Sequence, residues 1–164
     1  MKVYFATDHS GFSLKEELIL YVRDELGYEV EDCGAYTYEA SDDYPDFIKK
    51  AAQAVAENPK SCRGIVIGAS GQGEAITANR YSGVRAVVFY GEPGAHQTDA
   101  AGESHTIISG SREHNDANIL SLAARFITAA EAKRSVREWL ETPFGGSPRH
   151  ARRVAKIDDD LNVI

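Results

Sequence analysis

What this sequence lacks already excludes several classes of protein. No run of apolar residues approaches the ~18 that a membrane-spanning helix needs, and residues 1–5 have the pattern of a strand, not of a signal peptide. We therefore expect a cytoplasmic protein that does not contact membranes. Basic residues are outnumbered, 18 against 25 acidic ones, for a formal net charge of -7. This charge argues against a nucleic-acid partner, because such binding depends on a basic surface.

The sequence also contains little cysteine. Cys33 and Cys62 are the two cysteines of the chain, and neither belongs to a Cys-x-x-Cys or Cys/His pattern. Two isolated cysteines indicate neither a disulfide framework nor a zinc site. We expect both to be structural thiols.

What is present predicts an α/β fold. The length of 164 residues and the hydrophobic content of 43% suit a single domain, residues 1–164, with one sizeable core. Strand-like and helix-like patterns alternate, which is typical of a parallel sheet covered by helices on both faces. The predicted strands cover residues 2–7, 28–32, 64–68, 85–90 and 118–123, and the predicted helices cover 10–26, 74–79 and 128–140, with others starting at 45 and near 148.

A glycine-rich turn follows the third predicted strand. Gly68-Ala69-Ser70-Gly71-Gln72-Gly73-Glu74 leads into a helix start, an arrangement that exposes backbone amides to an anion. It is not a Walker A loop, because Glu74 and Ala75 occupy the places of Lys and Ser/Thr. Nor is it a dinucleotide fingerprint, because Ile76 occupies the place of the last glycine. Two interpretations remain: an anion cradle whose carboxylate abstracts a proton, or a turn without chemistry.

Two further polar groups lie near predicted strand ends. Asp8-His9 follows the first strand, and His114-Asn115 precedes the fifth. Since ligands of such sheets bind at the carboxyl ends of strands, we expect both groups and the glycine loop to converge on one crevice. Residues 91–111 are long for a structureless loop, so we expect part of this segment to be helical or to form a lid.

Five separated motifs, in order along nearly the whole chain, resemble the RpiB/LacAB family of sugar-phosphate isomerases, and within it the type-B ribose-5-phosphate isomerases. The motifs are Ala6–Phe12 with Lys15, Asp43–Pro45, Gly68–Asn79, Arg112–Asn118 and Arg149–Arg153. The resemblance implies a Rossmann-like αβα sandwich with a five-stranded parallel sheet and a C-terminal helix. It also implies a sugar-phosphate substrate, no metal or organic cofactor, and a homodimer with active sites at the subunit interface. Pairing of dimers into tetramers stays open.

The resemblance further implies roles in an aldose–ketose isomerisation through an enediolate. Such a reaction needs a base, donors for the developing oxyanion, and an acid for ring opening. Glu74 is expected to be the base, as in one branch of the family; the other branch has a cysteine at the position of Gly68. His114 is expected to open the sugar ring, and Ser70 to add a donor or acid. The expected substrate-binding residues are Asp8, His9, Tyr44, Ala69, Gly71, Gln72, Gly73, Asn115, Arg125, Arg149 and Arg153, with the amides of 69–73 forming the anion hole and the arginines binding mainly phosphate.

The sequence leaves the basicity of Glu74 and the identity of the sugar open. Burial would raise the pKa of Glu74, whereas a helix N-terminus would lower it. The segment between Phe89 and Arg112 exceeds the family pattern by roughly a dozen residues, which puts substrate identity in doubt. Ribose 5-phosphate and ribulose 5-phosphate are the leading pair. The alternatives are a four- or six-carbon sugar phosphate, such as galactose 6-phosphate, and a non-catalytic phosphosugar-binding subunit.

Two histidines of this long segment belong to no motif. We expect His96 and His105 to lie at the surface.

Overall fold

A five-stranded parallel sheet forms the centre of the molecule. The computed structural model describes residues 1–94, 97–99 and 102–159. Its strands are β1 (Lys2–Thr7), β2 (Glu29–Asp32), β3 (Cys62–Gly68), β4 (Ala86–Phe89) and β7 (Ile119–Ala123). Their order in the sheet is β2-β1-β3-β7-β4, and every pairing is parallel. The predicted sheet and its five strands are confirmed.

Helices cover both faces of this sheet. Their bounds are α1 (Phe12–Leu20), α2 (Pro45–Glu57), α3 (Gln72–Ala78), α4 (Ile107–Asn115), α5 (Ala129–Glu141) and α6 (Pro148–Ala155). A 3-10 turn at His9–Gly11 precedes α1, and a π-helical turn at Tyr21–Glu25 follows it. Proline is the first residue of α2 and of α6, a position at which a backbone N–H would have no partner within the helix. Among the described residues, no helix is both long and apolar enough to cross a membrane.

The central strands bury both of their faces. Ile65, Val66 and Ile67 of β3 are all fully buried. Ile65 and Ile67 pack with residues of α1 and α5, whereas Val66 packs with residues of α2 on the opposite face. A strand enclosed by two helical layers needs such a continuous apolar run, which accounts for the αβα sandwich.

The long segment before β7 has secondary structure of its own. β5 (Gln97–Thr98) and β6 (Ser104–His105) form a short antiparallel pair, which we call the hairpin. Thr106 then caps α4 by accepting a hydrogen bond from the backbone of Ser109. The expectation that part of 91–111 is helical is therefore confirmed from Ile107 onward.

Both cysteines are buried and form no disulfide. Burial raises the pKa of the Cys33 thiol to about 11, which keeps it protonated at neutral pH.

Candidate active site

The glycine-rich loop lies at the carboxyl edge of the sheet, the edge where the parallel strands end. Gly71 has a φ of 71°, a conformation that side chains disfavour, and its carbonyl accepts a hydrogen bond from Ser121 Oγ of β7 at 2.6 Å. Tyr44 packs against Gly73, where a Cβ would lie 2.8 Å from the Tyr44 hydroxyl. The loop is thereby held between β7 and Tyr44.

Glu74 lies in the first turn of α3 with only 4% of its surface exposed. Its carboxylate fills the space beside Gly68, where an added Cβ would be 2.0 Å from Oε1. Burial raises the pKa of Glu74 above its ordinary value, and the Asp8 carboxylate raises it further, while a backbone hydrogen bond at Glu74 opposes both. The net effect, which the sequence left open, is a stronger base than an exposed glutamate.

Asp8 and His9 lie at the same edge, directly after β1. Asp8 is buried and accepts a hydrogen bond from the backbone N–H of Ser10 at 2.9 Å. His9 Nδ1 lies 2.7 Å from Asp42 Oδ1, which also accepts the His9 backbone N–H at 3.0 Å. The reasoning from sequence missed Asp42; the available signal was its position just before the Asp43–Pro45 motif.

His114 and Asn115 lie at the opposite, amino edge of the sheet. They end α4 just before β7 begins, and β7 runs parallel to β3, with Ile119 opposite Gly64 and Ala123 opposite Gly68. A five-residue strand separates its ends by roughly 15 Å. The expected convergence of all three groups on one crevice is therefore wrong within one chain. The rule for such crevices applies to segments that follow a strand, whereas His114-Asn115 precedes one.

A cavity of about 580 Å³ reaches the amino edge and extends along β4 to Phe89. His114 and Asn115 line it together with Arg149 and Arg153, which lie four residues apart on α6. His150, which was not singled out from the sequence, also lines the cavity, and its ring centroid is 4.4 Å from that of His114. Burial lowers the pKa of His150, and neighbouring His114, Arg149 and Arg153 lower it further. This cavity combines cationic side chains suited to a phosphate with imidazoles suited to proton transfer.

Arg125 is separate from the other two expected phosphate ligands. It follows β7 at the carboxyl edge, where its backbone N–H donates to the Ala69 carbonyl at 3.2 Å. The three arginines therefore divide between the two edges.

His105 is buried, with 8% of its surface exposed, so the expectation that it lies at the surface is wrong. The hairpin folds back onto α4, and the His105 ring centroid lies 4.5 Å from that of His114. His96 lies outside the described residues.

Within the described part of the chain, two groups of side chains have the composition of a metal site. In each group, one potential ligand atom per residue lies within 4.8 Å of the others. The groups are Asp8, His9 and Asp42 at the carboxyl edge, and Asp99, His105 and His114 at the amino edge.

Comparison with known proteins decides the family. The model of the Ribose/Galactose Isomerase family, LacAB_rpiB, matches residues 3–157. This chain belongs to that isomerase family. Members of the family include ribose-5-phosphate isomerase B of Mycolicibacterium paratuberculosis, which is 38% identical over 154 residues, covering 94% of this chain and 87% of the relative. The Escherichia coli ribose-5-phosphate isomerase B is 37% identical over 156 residues, covering 95% of this chain and 93% of the relative.

Solved structures of family members have the same fold. Ribose-5-phosphate isomerase B of Mycoplasma genitalium, solved with bound ribulose-5-phosphate, aligns with a TM-score of 0.85 at 30% identity, covering 99% of this chain and 97% of that one. The Clostridium thermocellum enzyme aligns with a TM-score of 0.82 at 40% identity, covering 99% and 98%. The Rossmann-like architecture is thus common to this chain and its relatives.

Proposed function

We propose that this chain interconverts ribose 5-phosphate and ribulose 5-phosphate through an enediolate. The observation that carries the proposal is the buried carboxylate of Glu74 beside the glycine loop. The names of relatives that align over almost the whole chain support it, as does the ribulose-5-phosphate bound to the Mycoplasma genitalium enzyme.

Glu74 is the base that removes the carbon-bound proton in this proposal. Its raised pKa brings it closer to the strength that proton abstraction at neutral pH requires. The neighbouring loop stabilises the negative charge that then develops on the substrate oxygen. Backbone amides of Ala69–Gly73 serve as donors, because amides at the start of α3 have no partner within the helix. The Ser70 hydroxyl adds a donor or an acid.

Ring opening and phosphate binding belong to the amino-edge cavity. His114 donates a proton to the ring oxygen as the bond between this oxygen and the anomeric carbon breaks, and the anomeric hydroxyl gives up its proton to form the carbonyl. Asn115 binds the sugar, and Arg149 and Arg153 bind the phosphate through their planar guanidinium groups. Asp8, His9, Tyr44 and Arg125 contact the substrate from the carboxyl edge.

We infer that a second copy of the chain unites these two sets. One chain places them at opposite edges of the sheet, too far apart to act on one small sugar phosphate. If the carboxyl edge of one protomer faces the amino edge of its partner, two-fold symmetry repeats this contact, and the dimer then has two complete sites. The family resemblance, which implies a homodimer with active sites at the subunit interface, supports this arrangement.

An assay on four-, five- and six-carbon sugar phosphates tests the proposal, with Glu74→Gln beside the parent protein. We expect the highest kcat/KM for the ribose 5-phosphate pair. The variant should bind substrate but lose ~10²-fold or more in turnover, the usual effect of removing a positioned base. Unchanged turnover would exclude Glu74 as the base, and a parent without turnover on any sugar would favour a phosphosugar-binding subunit.

A further inference from the structure

Three potential metal ligands meet where the hairpin folds onto α4. Asp99 and His105 come from the hairpin region and His114 from the end of α4, and one atom of each lies within 4.8 Å of the other two. Asp99 and His105 belong to the segment between Phe89 and Arg112, which the family resemblance leads us to expect to be longer than the family pattern.

The contacts of His105 leave one of its ring nitrogens with a lone pair that can bind a cation. Nδ1 lies 3.0 Å from Glu113 Oε2, and because an ionised carboxylate only accepts, this contact places a proton on Nδ1. In the neutral imidazole, Nε2 then carries a lone pair. A carboxylate that orients a histidine in this way is the usual outer partner of a metal-binding histidine.

Nε2 of His105 has no hydrogen-bond partner within the described part of the chain, although it is buried. The Asp99 carboxylate oxygen Oδ2 lies 3.5 Å from it. The lone pair of Nε2 thus has no donor and lies beside a carboxylate, an arrangement that costs free energy unless a proton or a cation lies between the two groups. The His105 side chain is about nine-tenths buried, with 9% exposed, whereas the Asp99 side chain is 24% exposed, so a cation can reach Nε2 from the side of Asp99.

Local charge favours a cation at this point. A second cavity, of about 480 Å³, adjoins the cluster and is lined by Asp99, Glu103 and Glu113, with Arg149 as its one cationic side chain among the described residues. Within this second cavity, carboxylates thus outnumber guanidinium groups.

We propose that Asp99, His105 and His114 bind one divalent transition-metal ion, with Zn²⁺ the best match. Two imidazoles and a carboxylate are ligands that Zn²⁺ accepts, and three protein ligands leave a fourth tetrahedral position for water. Mg²⁺ and Ca²⁺ fit poorly, because they require oxygen ligands in larger number. Tetrahedral Zn²⁺ holds neighbouring ligand atoms roughly 3.4 Å apart, close to the 3.5 Å between His105 Nε2 and Asp99 Oδ2.

The ion would regulate the enzyme, not take part in its chemistry. A nitrogen of His114 that ligates zinc is unavailable for proton transfer to the sugar ring. Zinc therefore inhibits the isomerase reversibly, an effect that rests on the role of His114 in the proposed function. The metal site itself does not depend on that role.

Titration calorimetry of Zn²⁺ into the metal-stripped full chain tests the site. We expect one equivalent per chain in the parent protein, and at least ~10-fold weaker binding in both Asp99→Asn and His105→Gln, the range seen on perturbing metal sites. Glu103→Gln is the matched control: it removes a carboxylate from the same hairpin but none of the three ligands, and should bind zinc like the parent. Thermal unfolding of each zinc-free variant checks that it folds.

Two outcomes would overturn the metal site. The first is a parent protein that binds no zinc, which would mean that a second proton on His105 satisfies both carboxylates. The second is unchanged affinity in folded Asp99→Asn and His105→Gln, which would place any zinc elsewhere, such as at Asp8, His9 and Asp42.

Isomerase assays with and without zinc test the regulation separately. Zinc should slow the parent and Glu103→Gln, a chelator should restore the rate, and Asp99→Asn should lose the inhibition relative to its own zinc-free rate. Stoichiometric binding without inhibition would overturn the regulatory effect and the assignment of ring opening to His114, while leaving the metal site intact.

Discussion

At the scale of single residues, Gly68 and Glu74 depend on one another. The buried carboxylate occupies the space in which a side chain at position 68 would begin, only 2.0 Å from Oε1. A side chain at position 68 would therefore displace this carboxylate. The family resemblance adds that the other branch has a cysteine there, in the space that the Glu74 carboxylate fills in this chain.

Gly68→Ala tests this dependence. The new Cβ should displace the Glu74 carboxylate, reduce turnover by at least ~10-fold, and lower the free energy of unfolding by about 1–3 kcal/mol through overpacking. Steady-state kinetics and urea unfolding measure the two effects. Gly94→Ala is the matched control, because a Cβ at exposed Gly94 meets nothing within 4 Å. Parent-like turnover in Gly68→Ala would contradict the steric argument.

The pKa of Glu74 predicts how stability changes with pH. Because burial raises this pKa in the folded state, the folded protein binds the proton more tightly than the unfolded chain. Stability is thus greatest below the ordinary glutamate pKa and decreases as pH rises through the raised value. Glu74→Gln removes this loss, so at pH 7 it should be more stable than the parent, with the difference narrowing on acidification. Denaturant unfolding across this pH range measures the effect.

Glu131→Gln is a control for which we expect the opposite dependence of stability on pH. Hydrogen bonds from the backbone and side chain of Thr128 lower the pKa of Glu131, so its contribution is present at neutral pH and lost on acidification. Glu131→Gln should therefore be less stable than the parent at pH 7. A destabilised Glu74→Gln at neutral pH would show that burial of the charge costs nothing.

At the scale of elements, Arg112 fixes the end of α4 and thereby the position of His114. Its side chain is 2% exposed and donates to the Ala117 carbonyl at 2.5 Å, to Asp116 Oδ1 at 2.9 Å and to the Thr142 carbonyl at 3.2 Å. Its guanidinium carbon lies 5.8 Å from the centre of the Trp139 ring. Arg112 belongs to the motif that contains His114, but its contacts are with the protein's own backbone.

Arg112→Lys should lower the free energy of unfolding by about 3 kcal/mol, since an ammonium cannot reproduce the fork and leaves buried acceptors unpaired. Chemical denaturation measures this loss. Arg134→Lys, at an exposed position of α5, is the matched control and should change stability little. Equal stability of the two variants would show that the buried hydrogen bonds of Arg112 contribute nothing.

At the scale of the whole molecule, the two sets of proposed site residues lie at opposite edges of one sheet. Glu74 and the glycine loop lie at the carboxyl edge, whereas His114 and the arginines of α6 lie at the amino edge. If each active site combines one edge from each protomer, defects at different edges can complement one another in a mixed dimer.

Coexpression of Glu74→Gln with His114→Gln tests this directly. Half of the dimers are mixed, and each mixed dimer has one site with both edges intact, so activity should recover to about a quarter of the parent level for a two-fold interface. Purification through two different tags isolates the mixed dimers for assay. His114→Gln with Arg153→Ala is the control, because both defects lie at the amino edge and no site is intact. Absence of recovery in isolated Glu74–His114 mixed dimers would contradict the shared site.

Much of this architecture could be predicted from local patterns. The apolar run of Ile65–Ile67 and the glycines after it predict a buried strand and a turn, and both are present. The separated motifs correctly indicated the family. The errors concern residues whose surroundings come from distant segments: the burial of His105, the contact of Asp42 with His9, and the place of His114 relative to Glu74.

The sequence by itself determined the alternation of strands and helices, the glycine loop with its carboxylate, and the family. These properties depend on residues close to one another in the chain or on their types in order. Only the tertiary structure decided the direction of the Glu74 pKa shift, the separation of the two edges and the meeting of the hairpin with His114. Desolvation and proximity depend on which distant segments pack together, and strand order sets that packing.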